Sequence, residues 1–254
     1  MCYNSACDEL FFADYNNNAV CWLHLRNYTV EVRDVESGTE IVYNICYMSD
    51  SDTLLLCSWE QWQGTDGYWL VALVRNEIEW REAHRVPIEI NGLPNMFCAL
   101  SNSRVLVGSG PSRDMELFSV HDADPRIAHI SRIHVPDKYR WFSATSSSGC
   151  SETLVALSHE DSQVVSVHRL VGDRLEELAR IAFNEPVRLL WLNDRILLAQ
   201  ERGSETISEL EFSGTQLVCR RLISACKVGA WCAAGNDLAV VDTSSGDLLY
   251  YPLK

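Results

Sequence analysis

The chain has no Cys-x-x-Cys pair, no run of 18 apolar residues and few cations, and each shortage closes a class of function. Without paired cysteines a structural zinc site loses its commonest ligand pattern. Without a long apolar run no helix can cross a bilayer, and the N-terminus MCYNSACDEL lacks the basic-then-apolar order of a signal peptide, so the expectation is a soluble, cytoplasmic protein. The 21 Lys plus Arg stand against 35 Asp plus Glu, a formal net charge of -14. That balance repels phosphate backbones and anionic headgroups, so neither nucleic acid nor a membrane is an expected partner. The most cationic stretch, Arg104 to Arg140, is interleaved with Asp114, Glu116, Asp122, Asp124 and Asp137, which nearly cancel it.

Nucleotide and hydrolase signatures are missing as well. There is no GxGxxG opening a helix, no phosphate-binding GxxxxGK[ST], no HExxH and no GxSxG. His159-Glu160-Asp161 puts a base beside two carboxylates, but sequence neighbours point apart and seldom converge on one proton, so it reads as a turn. Asp50-Ser51-Asp52 and Asp122-Ala123-Asp124 lack the glycine and closing glutamate of a calcium loop. No catalytic residue, metal ligand or cofactor is assigned.

What the sequence does contain is a repeat. A polar turn followed by three or four apolar residues recurs at Leu10 (LFFA), Leu54 (LLLC), Val105 (VLVG), Leu154 (LVAL), Ile196 (ILLA) and Leu238 (LAVV), at spacings of 44, 51, 49, 42 and 42 residues. Such spacings suit a unit of four short strands. A second strand follows each anchor, as at Val20–Leu25, Trp69–Val74 and Leu248–Leu253. Outer strands mixing apolar with charged residues come next, among them Thr29–Val35 and the Arg174–Ala182 run, whose RLEELAR is helix-prone in isolation. Short inner strands precede the anchors, three of them carrying Trp141, Trp191 and Trp231 as expected packing between units. Cys21, Cys46, Cys57, Cys98, Cys219 and Cys232 fall inside apolar runs and read as reduced core thiols.

LFFADYNNNAVCWL at Leu10–Leu23 and LAVVDTSSGDLLYY at Leu238–Tyr251 resemble the NHL-type β-propeller repeat, with Asp14 and Asp242 at its Asp position and Asn16-Asn17 as its Asn pair. The repeat spacing, with this resemblance, implies a single all-β domain over residues 1–254: a six-bladed β-propeller with blades of about four antiparallel strands, the first and last read as incomplete because only Met1–Asn4 could serve as the inner strand of unit one and the sixth unit has no outer strand. The resemblance also implies a protein or RNA interaction platform or, among related six-bladed folds, a metal-dependent lactonase or lyase; the expectation is a protein- or peptide-binding scaffold, the alternative a lactonase- or lyase-type enzyme with a cation in the central channel. Asn44 is the one good metal ligand on the inner strands, with Asp14, Asp242 and Asn193 flanking, so the non-catalytic scaffold is preferred.

In a propeller the turns from second to third strand and the connections between blades share one face. Ser58–Gly67, SWEQWQGTDG, is the longest such turn, and its Trp59 and Trp62, with Tyr139 on a neighbouring connection, form the expected binding surface for a protein or peptide. The ring is expected to close by packing blade one on a three-stranded blade six, with Leu248–Leu253 as an open edge unless Met1–Asp8 cover it.

Overall fold

The computed structural model describes residues 1–254 except 15, 16, 18, 28, 35–40, 50, 63, 64, 77, 78, 95, 101, 102, 110–112, 122–125, 147–151, 186, 202, 225, 235, 236, 253 and 254. Among the described residues all regular structure is β. Twenty-three strands form six antiparallel sheets, each a simple meander from the innermost strand outward. Blade one is β1 (Cys2–Asn4) to β4 (Thr29–Asp34), with β2 (Glu9–Asp14) and β3 (Ala19–His24) between. Blade two runs from β5 (Ile41–Met48) through β6 (Thr53–Trp62) and β7 (Thr65–Asn76) to β8 (Glu79–Ile88), and blade three from β9 (Met96–Leu100) through β10 (Arg104–Gly108) and β11 (Asp114–Val120) to β12 (Ile127–His134). Blade four spans β13 (Tyr139–Ser146), β14 (Thr153–His159), β15 (Val164–Val171) and β16 (Arg174–Ala182); blade five spans β17 (Val187–Trp191), β18 (Ile196–Glu201), β19 (Thr206–Phe212) and β20 (Leu217–Ser224). Blade six has three strands, β21 (Val228–Ala234), β22 (Asp237–Asp242) and β23 (Leu248–Pro252).

The result is a six-bladed β-propeller, and each repeat anchor is the start of a second strand. Those strands are buried on both faces, which is why they read as unbroken apolar runs: every residue of β14 is buried. Leu55 and Cys57 pack towards blade three while Leu54 and Leu56 pack towards blade one, so alternate residues of one strand feed two different cores. The first blade, expected to be incomplete, gains an inner strand of three residues, β1, which pairs with β2 from Cys2↔Phe11 to Asn4↔Glu9. Cys2–Asn4 therefore form the inner strand of blade one and pair with β2, not with β23. RLEELAR is strand β16, because pairing with β15 from Val171↔Arg174 to Val164↔Ala182 outweighs its local helix preference.

Seams between blades also carry buried charge. Glu9, 2 % exposed, accepts two hydrogen bonds from the guanidinium of Arg75 on blade two at 3.1 and 3.2 Å, and His24 lies 3.0 Å away. Glu116, 1 % exposed, meets Arg132 at 3.0 Å and accepts from the Glu89 amide of the preceding blade. A carboxylate so enclosed is tolerable only because these donors satisfy it.

Candidate channel-mouth site

The inner strands surround an axial channel with a cavity of about 470 Å³. Trp141, Trp191 and Trp231 all line it, so rings expected purely as packing also form its wall. Trp191 is the most enclosed of the three, edge-on to Phe212 with centroids 6.2 Å apart. Where the inner strands begin, on the face that also carries the turns from second to third strand, a second cavity of about 300 Å³ opens between blades four, five and six.

Backbone irregularities shape this mouth. The pairing of β13 with β14 slips between Tyr139 and Trp141, leaving Arg140 as the extra residue, and β21 slips likewise at Gly229. A bulge turns its extra residue away from regular alternation, here into the cavity wall. Gly229 must be glycine, since a Cβ there would meet Thr243 Cγ2 at 2.8 Å and the Val241 carbonyl oxygen at 3.3 Å.

Among the described residues, three cationic ones line this cavity in a strongly acidic chain: Arg140, Arg188 and Lys227. Arg188 is fixed twice, by donating to the carbonyls of Val228 and Gly229 and by lying over the Trp141 ring, 5.3 Å from its centroid. Arg140 donates to Glu160 at 3.1 Å. Thr243 donates through both its amide and its hydroxyl to the Lys227 carbonyl, holding that backbone in place. Gln200, 3 % exposed, braces the rim by donating to Ser204 and Cys226 carbonyls at 2.8 and 3.0 Å. Glu201 is the one carboxylate among the described lining residues, and its Oε1 accepts from the Asn184 amide at 2.9 Å. Mounted on a Trp shelf and a braced rim, the three cations suit an anionic group entering from solvent.

The polar groups considered for a channel cation are engaged elsewhere. Asp14 accepts from Asn17, Asp242 from Ser244 and Ser245, and Asn193 from Arg195 and Ile196, each closing its own turn. Asn44 lines the channel, but its Oδ1 accepts from Ile45. Arg188 in the same wall repels a divalent cation.

The other expected site residues are distributed differently from the reading as one loop cluster. Ser58–Gly67 is mostly strand: β6 and β7 pair as far as Trp62↔Thr65, with Trp59 opposite Tyr68. The second strands of the other blades are five to seven residues long against ten for β6, so this ribbon projects about 13 Å further on the mouth face. Trp59 is half-buried on it. Tyr139 does lie on the same face, but it is 0 % exposed and is removed from the binding surface. Its ring enters space left by Gly108, whose absent Cβ would lie 2.8 Å from the hydroxyl, and that hydroxyl donates to the Asp114 carbonyl at 3.0 Å. Arg188 and Lys227 were missed; the available signal was an arginine inside the apolar inner-strand run Val187-Arg188-Leu189-Leu190-Trp191.

All nine described cysteines are free. Burial pushes the Cys46 thiol up to about 12 and those of Cys98 and Cys232 to about 11, so they behave as apolar packing, not nucleophiles. Cys219 departs from that pattern: it is exposed on β20.

The sequence matches no protein-family model and no curated protein. Solved structures do resemble it. A chain of the mitotic checkpoint complex superposes with a TM-score of 0.63 at 10% identity, covering 99% of this chain and 85% of that one. Sqt1 of Saccharomyces cerevisiae gives 0.57 at 8% identity, covering 99% and 74%. Dihydro-heme d1 dehydrogenase NirN, solved in complex with DHE, gives 0.55 at 12%, covering 99% and 56%. At these identities the likeness establishes the propeller fold and leaves function to the site.

Proposed function

We propose that this propeller is a non-catalytic scaffold that binds a protein or peptide on its mouth face. The observation that carries the reading is the cationic cavity of Arg140, Arg188 and Lys227 on the same face as the projecting β6–β7 ribbon. Net negative charge elsewhere disfavours anions in general, so a local cluster of three cations selects a partner offering a carboxylate at one defined point. Trp59 and Trp62 on the ribbon would supply the aromatic anchor beside it. A chain of the mitotic checkpoint complex and Sqt1 share this fold, as does the dehydrogenase NirN, so the reading rests on the site and not on fold likeness.

The test is capture from a native lysate on the immobilised chain, repeated with Arg140→Glu/Lys227→Glu and with Trp59→Ala/Trp62→Ala. A specific partner held by the unaltered chain should be lost from both variants while both stay folded. Retention by both would remove the mouth face from consideration, and turnover of a lactone with stoichiometric bound calcium would favour the lactonase-type alternative.

A further inference from the structure

The axial cavity of about 470 Å³ has a one-sided chemistry. Among the described residues that line it, Arg188 is the one charged side chain, and no aspartate or glutamate is present although the chain holds 35 of them. Half-buried aromatic side chains enter the lining from five of the six blades: Tyr3, Tyr43, Phe97, Trp141 and Trp231. Blade five contributes the cation. Ring surface left facing an open space inside the fold is apolar area that a ligand can still remove from water.

Several inner-strand amides are taken up between blades. Phe142 donates to Met96 Sδ at 3.2 Å, Ala144 to Cys98 Sγ at 3.4 Å and Trp191 to the Ser143 hydroxyl at 3.0 Å, so these donors hold neighbouring blades together and are not offered to the cavity. Arg188, by contrast, is positioned on the wall: it donates to the carbonyls of Val228 and Gly229 and lies over the Trp141 ring, 5.3 Å from its centroid. A guanidinium stays charged throughout the range in which proteins are folded, which gives the cavity a permanent positive pole beside an aromatic wall.

We propose that the axial channel is a binding site for a small aromatic carboxylate, whose carboxylate meets Arg188 and whose flat ring lies against Trp141 and the facing aromatic side chains. Charge selects the anion, since one guanidinium and no described carboxylate line the space. The walls select a flat apolar body, because aromatic rings gain from offset or edge-on contact beyond the area they bury. The volume selects a small molecule, falling in the range of about 300–1,000 Å³ typical of such pockets. This ligand class differs from the partner proposed for the mouth face, and the site does not rest on that reading, although Arg188 and Trp141 line both cavities.

Naphthoate is the probe, with naphthalenemethanol and naphthylmethylamine as its neutral and cationic counterparts. Calorimetric titration of the full chain should show one naphthoate site with Kd below about 1 mM, with the alcohol about tenfold or more weaker and the amine not bound. In the unaltered chain, nuclear Overhauser contacts from the naphthalene protons should reach the methyl groups of Ala99, Ala144 and Ala230, which line only the axial cavity. Arg188→Gln should weaken naphthoate by about tenfold or more while leaving the alcohol within about threefold. Ala230→Trp, which puts an indole into the cavity, should abolish binding of both. The proposal is overturned by no saturable binding at millimolar naphthoate, by equal affinity for acid, alcohol and amine, by an equal loss of acid and alcohol in Arg188→Gln, or by undiminished binding in Ala230→Trp. Contacts to the methyl groups of Val228 and Thr243 instead, which line only the mouth cavity, would place the anion there and overturn it as well.

Discussion

Single residues decide how much of the mouth face is available. Tyr139 looked like an exposed anchor because it lies on a connection between blades, and no sequence pattern shows that Gly108, on the adjacent blade, leaves a hole for its ring. Gly108→Ala would place a methyl 2.5 Å from Phe142 Cε1 and 2.8 Å from the Tyr139 hydroxyl. The expected loss is about 1–3 kcal/mol in urea denaturation, as overpacking costs in other cores. An unchanged midpoint would mean that this contact relaxes freely. A second residue-scale prediction concerns the Ser166 hydroxyl, 2.7 Å from Nε2 of both His159 and His168. One hydroxyl proton can be donated to only one ring, so the other ring must donate to the oxygen. Burial holds both imidazoles below their usual range, His168 down to about 4. The unfolded chain then takes up these protons first, as pH falls below about 6.5. Stability should be complete above that pH and decline towards about 4. Thermal melts between pH 7 and 5, where carboxylates contribute little, should show a falling midpoint whose slope lessens in His168→Leu. A flat profile in the parent chain would refute the assignment.

At the scale of strands, most of the architecture was legible because each second strand is buried on both faces and so leaves an unbroken apolar signature every 42 to 51 residues. Bulges were not legible. They arise from how one strand is offset against another, and the slips at Arg140 and Gly229 depend on partners in β14 and β22. The ribbon of blade two was misread for a related reason: Gly64, Thr65, Asp66 and Gly67 are good turn residues, yet Thr65, Asp66 and Gly67 pair with Trp62, Gln61 and Glu60. Two measurements follow. Gly229→Ala would force Thr243 and the Val241 carbonyl away, which should lower stability by about 1–3 kcal/mol and weaken partner binding through the displaced Arg188 acceptors. Retained stability and affinity would show the bulge to be tolerant. Trp59→Ala/Trp62→Ala, at the projecting end of the ribbon, should weaken a captured partner by more than about 2 kcal/mol while the melting temperature moves only a few degrees. A large fall in stability would instead make Trp59, already half-buried, part of the fold.

Across the whole ring, closure depends on packing. Among the described residues no strand is shared between the first and last blades; β1 touches β21, and Leu10, Cys232, Ala234 and Ala239 form the buried centre of the seam, with Met1, Tyr3, Phe12, Leu23, Leu25 and Leu248 half-buried around it. The opposite seams are richer: the core between blades four and five includes Trp191, Phe212, Val165, Val167 and Leu210. Hydrophobic stabilisation follows apolar area removed from water, so two alanines and a cysteine contribute less than large aliphatic and aromatic side chains. Blade six thus meets blade one through a seam with few fully buried large side chains, and among the described residues no fourth strand extends that contact outward. Proteins open in units ordered by such local stability. Native-state hydrogen exchange should therefore show β22 and β23 opening at a lower free energy than β10, β14 and β18, with β1 and β2 following blade six. Leu10→Ala, at the centre of the seam and 0% exposed, should lower that local opening energy by about 2–5 kcal/mol while moving exchange in blades three and four only where it already requires global unfolding. Equal opening energies in all six blades would show that the propeller unfolds as one unit and that the seam between blades six and one is as strong as the rest.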